Sequence, residues 1–186
     1  MAAPTDPERA VHEDNPVHQD NPVHEDEVDR IVAAWRRERP DLDVEPLTVF
    51  SRVTRLARHL DLARRASFAR HDLEPWEFDV LSALRRDGEP YQLSPGALLT
   101  QTLVTSGTMT NRIDRLAHRG LVRREPSPAD RRGVLVRLTA EGRARVDAAM
   151  SDLLDVETSL LAGLAPAGRA QLADLLRDVV APFDAE

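Results

Sequence analysis

The stretch SPGALLTQTLVTSGTMTNRIDRLAHRGLVRREPSPADRRGVLVRLTAEG, residues 94–142, carries the pattern that decides the fold: two short helices in tandem, then strand, loop and strand. Ser94 and Pro95 supply an N-cap and a proline at the first helical position, and Leu98 and Leu99 give that helix an apolar side. Thr102-Leu103-Val104 reads as a tight connection. The second helix is capped by Thr105 or Ser106. It repeats Met109, Ile113 and Leu116 at i, i+4 and i+7, and stops at Gly120. Its other face presents Ser106, Thr108, Thr110, Asn111, Arg112 and Arg115. Short hydroxyls and an amide near the start of a helix suit base edges in the major groove, and arginines further along suit phosphates or guanine.

Directly after Gly120 the chain alternates as a hairpin: Leu121 to Arg124, a loop rich in proline ending at Gly133, and Val134 to Leu138. Its tip offers Arg131 and Arg132. Guanidinium loses its hydration more readily than ammonium and fits the negative potential of a narrow minor groove. An isolated arginine pair is more simply a solvated surface charge, but a preceding reader helix and a hairpin of this length favour a DNA-reading wing.

Working outward, 186 residues with 41% hydrophobic side chains imply a globular unit with a real core. No apolar run approaches bilayer length and the first 30 residues lack the apolar centre of a secretory signal, so a cytoplasmic protein without membrane contact is expected. The chain has no cysteine, which removes disulfides, thiolate metal sites and cysteine-based redox sensing. The net charge of −7 looks wrong for a DNA binder until it is divided along the chain. Residues 1–30 hold nine acidic residues against Arg9 and Arg30, which accounts for all of it; Thr105–Arg145 holds ten arginines against Asp114, Glu125, Asp130 and Glu141. Positive charge is therefore concentrated where the fold would meet DNA. Ser106, His118 and several carboxylates lack the spacing of a nucleophile or metal site, and there is no glycine-rich phosphate loop. An enzyme is not expected, nor a cofactor.

Residues 1–26 read as an acidic, disordered tail with a hexapeptide repeat: Val11-His12-Glu13-Asp14-Asn15-Pro16, then Val17-His18-Gln19-Asp20-Asn21-Pro22, then Val23-His24-Glu25-Asp26. Histidine beside carboxylate is also a metal-ligand combination, though a flexible tail must lose conformational entropy to close such a site. Val28, Ile31, Val32 and Trp35 predict an added N-terminal helix within residues 27–40. Residues 41–74 read as a connecting and dimerisation helix from near Pro46, residues 75–142 as the DNA-binding domain, opened by a helix from Pro75 to a stop at Gly88, and residues 143–186 as C-terminal dimerisation helices broken near Gly163-Leu164-Ala165-Pro166. The fold class is mainly α with a small β wing. Apolar stripes on the terminal helices exceed what a monomer of this size buries, so a homodimer is expected. Two-fold symmetry then sets two reader helices about 34–36 Å apart on a palindromic operator.

From Leu47 to Val180 the chain resembles the MarR family of winged helix-turn-helix transcription regulators. The resemblance is carried by Asn111-Arg112-Ile113-x-x-Leu116, Gly120-Leu121-Val122, Asp130-x-Arg132 and Leu138-Thr139-x-x-Gly142. It implies that Asp130 braces the wing through ion pairs and that Arg132 enters the minor groove. The added helix is similar to that of a urate-responsive subset. Membership there implies a ligand site made of Trp35, Asp79, Arg112 and Arg124, while a histidine of one such regulator falls near Ala57 here. A flat anionic purine would lie against Trp35 and meet the two arginines, with Asp79 as their partner in the empty site. Each residue also has a plainer reading: Trp35 and Trp76 as core, Asp79 as a helix-surface charge, Arg112 as a phosphate contact, Arg124 as an exposed strand residue. The partners implied are double-stranded DNA and a small anionic effector, with repression as the usual outcome. A MarR-type regulator of another aromatic acid or an antibiotic, and a metal-binding protein using the His tail, are the alternatives.

Overall fold

The computed structural model describes residues 25–102, 105–128 and 133–184. The chain runs α1 (Glu27–Glu38), α2 (Glu45–Ala69), α3 (Pro75–Arg86), β1 (Gln92–Leu93), α4 (Pro95–Thr102), α5 (Ser106–His118), β2 (Val122–Pro126), β3 (Val134–Leu138), α6 (Ala140–Leu160) and α7 (Pro166–Asp184). Two compact units divide it, one ending at Val53 and the other starting at Thr54.

In the first unit, Asp26 caps α1. Its carboxylate accepts from the N–H groups of Val28 and Asp29, and the Asp29 side chain accepts the Asp26 N–H in return. Arg52 of α2 donates to both carboxylates, at 2.9 Å to Asp26 and 2.7 Å to Asp29. Those hydrogen bonds hold the Asp26 carboxyl down to about 2. Behind them Val28, Val32 and Val44 form a small core with Leu47.

The second unit is built around α3. One side of that helix, with Phe78, Val80, Leu81 and Leu84, is buried against Leu98 of α4, Met109, Ile113 and Leu116 of α5, Val136 of β3, and Val146 and Leu153 of α6. Each such side chain contributes roughly 1.5–3 kcal/mol by leaving water. Phe68 stacks on Phe78 with ring centres 4.1 Å apart. The antiparallel sheet has the order β1-β3-β2, with Val122 opposite Leu138 and Arg123 opposite Arg137. Alternation then turns Val122, Val136 and Leu138 toward the core and Arg123 and Arg137 to the opposite face. β1 was not anticipated from sequence, since two residues are too few for a periodic signal; it pairs Gln92 with Arg137.

A single junction ties the hairpin to the end of α5 and the start of α6. Gly120 ends α5 in the left-handed region at φ +71, as its position predicts. The Thr139 hydroxyl donates to the Gly120 carbonyl at 2.7 Å and accepts from the Gly142 N–H at 2.9 Å, which caps α6. Helices α4 and α5 followed by this hairpin make a winged helix-turn-helix. The terminal helices are different in kind: none of the described side chains of α7 is buried, and Leu175, Leu176, Val179, Val180 and Phe183 are exposed, as is Leu154 on α6.

Candidate nucleic-acid interface and effector site

The reader helix α5 buries Met109, Ile113 and Leu116 and thereby turns Ser106, Thr108, Thr110, Asn111 and Arg115 outward. Thr105 is its N-cap by backbone geometry, and its hydroxyl pairs with that of Thr108 at 3.0 Å. Thr110 donates its hydroxyl to the Ser106 carbonyl at 3.2 Å, which leaves its methyl group and the hydroxyl's acceptor lone pairs for a neighbour. Asp130, Arg131 and Arg132, with Leu103 and Val104, lie outside the described residues.

Arg112 and Arg115 lie one turn apart on α5 and share one aromatic ring. The guanidinium of Arg115 is 4.7 Å and that of Arg112 5.5 Å from the centre of Trp76, near the start of α3. Glu74 completes the group: it accepts the Trp76 indole N–H and takes Arg115 at 3.2 Å. Trp76 therefore packs partly on the core, as its position implies, and also holds two cations of the reader helix, which apolar periodicity does not reveal.

A second group fixes the far end of α5. Glu77 of α3, only 1% exposed, is met by the Arg119 guanidinium, and Arg119 also donates to the Asp72 carbonyl at 2.6 Å. Asp72 in turn receives Arg145 of α6 at 3.0 Å. The other oxygen of Glu77, Oε1, is buried with no hydrogen-bond partner among the described residues. Sequence reading missed this pair because an acidic residue in the first turn of a helix is ordinary and its partner is 42 positions away.

The four residues expected at an effector site divide between the two units. Trp35 belongs to the first; it is 44% exposed and lines a hollow on α1 with Ile31, Ala34 and Glu38, so it is not core. Asp79, Arg112 and Arg124 belong to the second. Asp79 lines a small hollow with Ser82, Arg86, Gln101 and Thr102. Desolvation pushes its carboxyl above the ordinary value, while Arg112, Arg64 and Arg86 pull it back by their charge. Asp79 makes no ion pair within 4 Å among the described residues, and Arg124 pairs instead with Asp114 of α5 at 2.8 Å. Arg124 therefore sits on the core-facing side of the hairpin beside α5, and Arg112 is within electrostatic reach of Asp79. Arg112 is on α5 itself, and Arg124 is tied to it through Asp114.

The model of the MarR family matches residues 71–133. The chain is 38% identical over 150 residues to the HTH-type transcriptional regulator PecS of Dickeya dadantii, covering 81% of this chain and 90% of PecS. Among solved structures, mutant MarR of E. coli complexed with operator DNA is 27% identical with a TM-score of 0.63, covering 75% of this chain and 99% of that one. BpsR of Bordetella bronchiseptica, whose DNA binding is described as regulated by 6-hydroxynicotinic acid, is 33% identical with a TM-score of 0.54, covering 69% of this chain and 98% of that one.

Proposed function

The chain belongs to the MarR family of transcription regulators, and on that premise we propose that it is a homodimeric repressor, released from a palindromic operator by urate or a similar small anionic purine. The observation that carries the DNA-reading part is α5 itself, whose outward face from Ser106 to Arg115 is short, polar and then cationic, directly followed by the hairpin. Ser106, Thr108, Thr110 and Asn111 read bases, Arg115 holds phosphate, and Arg131 and Arg132 enter the minor groove with Asp130 bracing the wing. The exposed apolar side chains of α6 and α7 are the surface that a second copy would cover. A repressor acting on chromosomal DNA works in the cytoplasm.

For the effector, the supporting observation is a desolvated carboxyl, Asp79, within electrostatic reach of a cation of the reader helix, Arg112. An arriving anion takes the arginines, repels Asp79 and shifts α5 relative to DNA. Arg124 takes part by exchanging Asp114 for the ligand, and Trp35 supplies the aromatic surface. A second reading, a pyridine or other aromatic acid as effector, is favoured by the similarity to BpsR.

The test is binding of the full chain to its own upstream DNA, titrated in parallel with urate and 6-hydroxynicotinic acid. Selective release by urate, lost in Asp79→Asn and Arg124→Ala that still bind DNA, is the expected result. Release by the acid alone selects the second reading. An unchanged urate response in both variants overturns the site.

A further inference from the structure

On the side of the sheet facing away from the core lies a hollow of about 380 Å³, lined by Tyr91, Arg123, Arg137, Thr139 and Arg143 among others. Its charges are placed against local preference. The register sets Arg123 directly opposite Arg137, and like charges across an antiparallel pair repel. Arg143 stands at the start of α6, at the end of a 21-residue helix where the dipole is positive and a cation is disfavoured. Three arginines from three elements, in two unfavourable placements, open onto one space.

The internal carboxylates offset this only in part. Glu125 serves both strand arginines, at 2.6 Å to Arg123 and 3.6 Å to Arg137. Asp147 lies 3.8 Å from Arg143 but 2.8 Å from Arg85, its closer partner. Arg143 is also held over Tyr91, 4.8 Å from the ring centre. Glu89, the one carboxylate among the described residues lining the hollow, accepts the Tyr91 hydroxyl at 3.3 Å.

We propose that this hollow binds a phosphate group, gathered by Arg123, Arg137 and Arg143 at the N-terminal end of α6. Three guanidiniums arriving from different directions match a tetrahedral oxyanion better than a planar carboxylate, and the amides of Ala140 and Glu141, ahead of the capped Gly142 N–H, add donors that a helix leaves unpaired. The phosphate comes either from a small phosphate ester or from the backbone of bound DNA. Arg137 lies three residues from Val134, the end of β3 nearest the wing tip, about 10 Å along the strand. An anion held there ties the base of the wing to α6. Nothing in this depends on Asp79 or on the identity of the effector.

Pyrophosphate is the probe, titrated calorimetrically into the full chain at fixed ionic strength in chloride, with Arg137→Gln and Arg143→Gln as variants and Arg36→Gln on α1 as the charge-matched control. In parallel, operator affinity is measured against salt for the same proteins. A small-ester site gives pyrophosphate binding that weakens about tenfold in each hollow variant but not in the control. A DNA-phosphate site gives no such binding, and instead a salt slope shallower by about one in the hollow variants alone. Comparing unliganded melting temperatures separates lost binding from lost folding, and because the two arginines come from different elements, one variant suffices if the other unfolds. Pyrophosphate bound equally by all four proteins, or no binding with an unchanged salt slope, overturns the proposal.

Discussion

Arg115 lies 4.7 Å from the ring centre of Trp76 while its guanidinium pairs with Glu74 at 3.2 Å, so a cation of the reader helix already has an aromatic and an acidic partner on α3. The pair is well exposed, where such contacts contribute about 0.2–1 kcal/mol. If Arg115 holds a DNA phosphate, Glu74 competes for it and adds a repelling charge at the interface. Glu74→Gln keeps the side chain's length and its place at the N-terminus of α3 but removes that charge. It should tighten operator binding about threefold at low salt, with the gain shrinking as salt rises, read by fluorescence anisotropy of labelled operator. Weaker binding would mean that Glu74 positions Arg115 rather than restraining it.

Gly142 is required for a different reason from Gly120. A Cβ at Gly142 would come within 2.0 Å of the Leu121 carbonyl oxygen and 2.9 Å of its carbon, both backbone atoms at the turn between α5 and the hairpin. The clash cannot be relieved by rotating a side chain. Gly142→Ala should cost about 3 kcal/mol, at the upper end for overpacking, because α6 must move away from the junction. Thr139→Ala, which removes the cap but adds no atoms, should cost about 1 kcal/mol. Urea unfolding of the two variants checks the order; equal losses would mean that the junction opens without strain.

Much of this was legible in the sequence because the signals are local. The Ser94 side chain accepting the Ala97 N–H at 3.1 Å, the left-handed Gly120 and the Thr139 cap each lie within a few residues of what they organise. The buried stripe of α5 followed from its 3.6-residue period. What sequence could not supply is pairing at long range. Arg124 lies with Asp114 rather than Asp79, Arg119 reaches Glu77 across 42 positions, and Trp76 collects two arginines from another helix. Charge type and helical period fix which face a residue occupies, not which of several opposite charges it meets.

The Glu77–Arg119 pair predicts an asymmetry between its two halves. Arg119→Ala leaves a carboxylate buried without its cation, a change that costs about 3–5 kcal/mol. Glu77→Gln removes the buried charge and the cation together as a problem, since Arg119 is 28% exposed and retains Asp72. It should cost less than about 2 kcal/mol, with the amide still able to accept from Arg119. Because both residues anchor the end of α5, Arg119→Ala should also weaken operator binding beyond its loss of stability. Thermal melts and operator titrations well below the melting temperature separate the two effects. Equal destabilisation by both substitutions would show that the buried charge carries no special cost here.

Asp79 makes the pH dependence of the second unit specific. Desolvation raises its carboxyl above the ordinary 3.8, against the pull of Arg112, Arg64 and Arg86. A group whose pKa is higher folded than unfolded favours the folded state while protonated, so its contribution is complete below 3.8 and is lost as pH rises through the raised value. Other carboxylates titrate in the same range, and the difference between the protein and Asp79→Asn isolates this one. The variant should gain stability relative to the parent as pH climbs through that window and differ little below it. If an anionic effector is held near Asp79, it meets less repulsion from the protonated form, so effector affinity in the parent should fall over the same window and stay flatter in Asp79→Asn. Melting temperature and effector titration measured from pH 4 upward on both proteins test this. Parallel curves would show that Asp79 is fully solvated and does not face the anion.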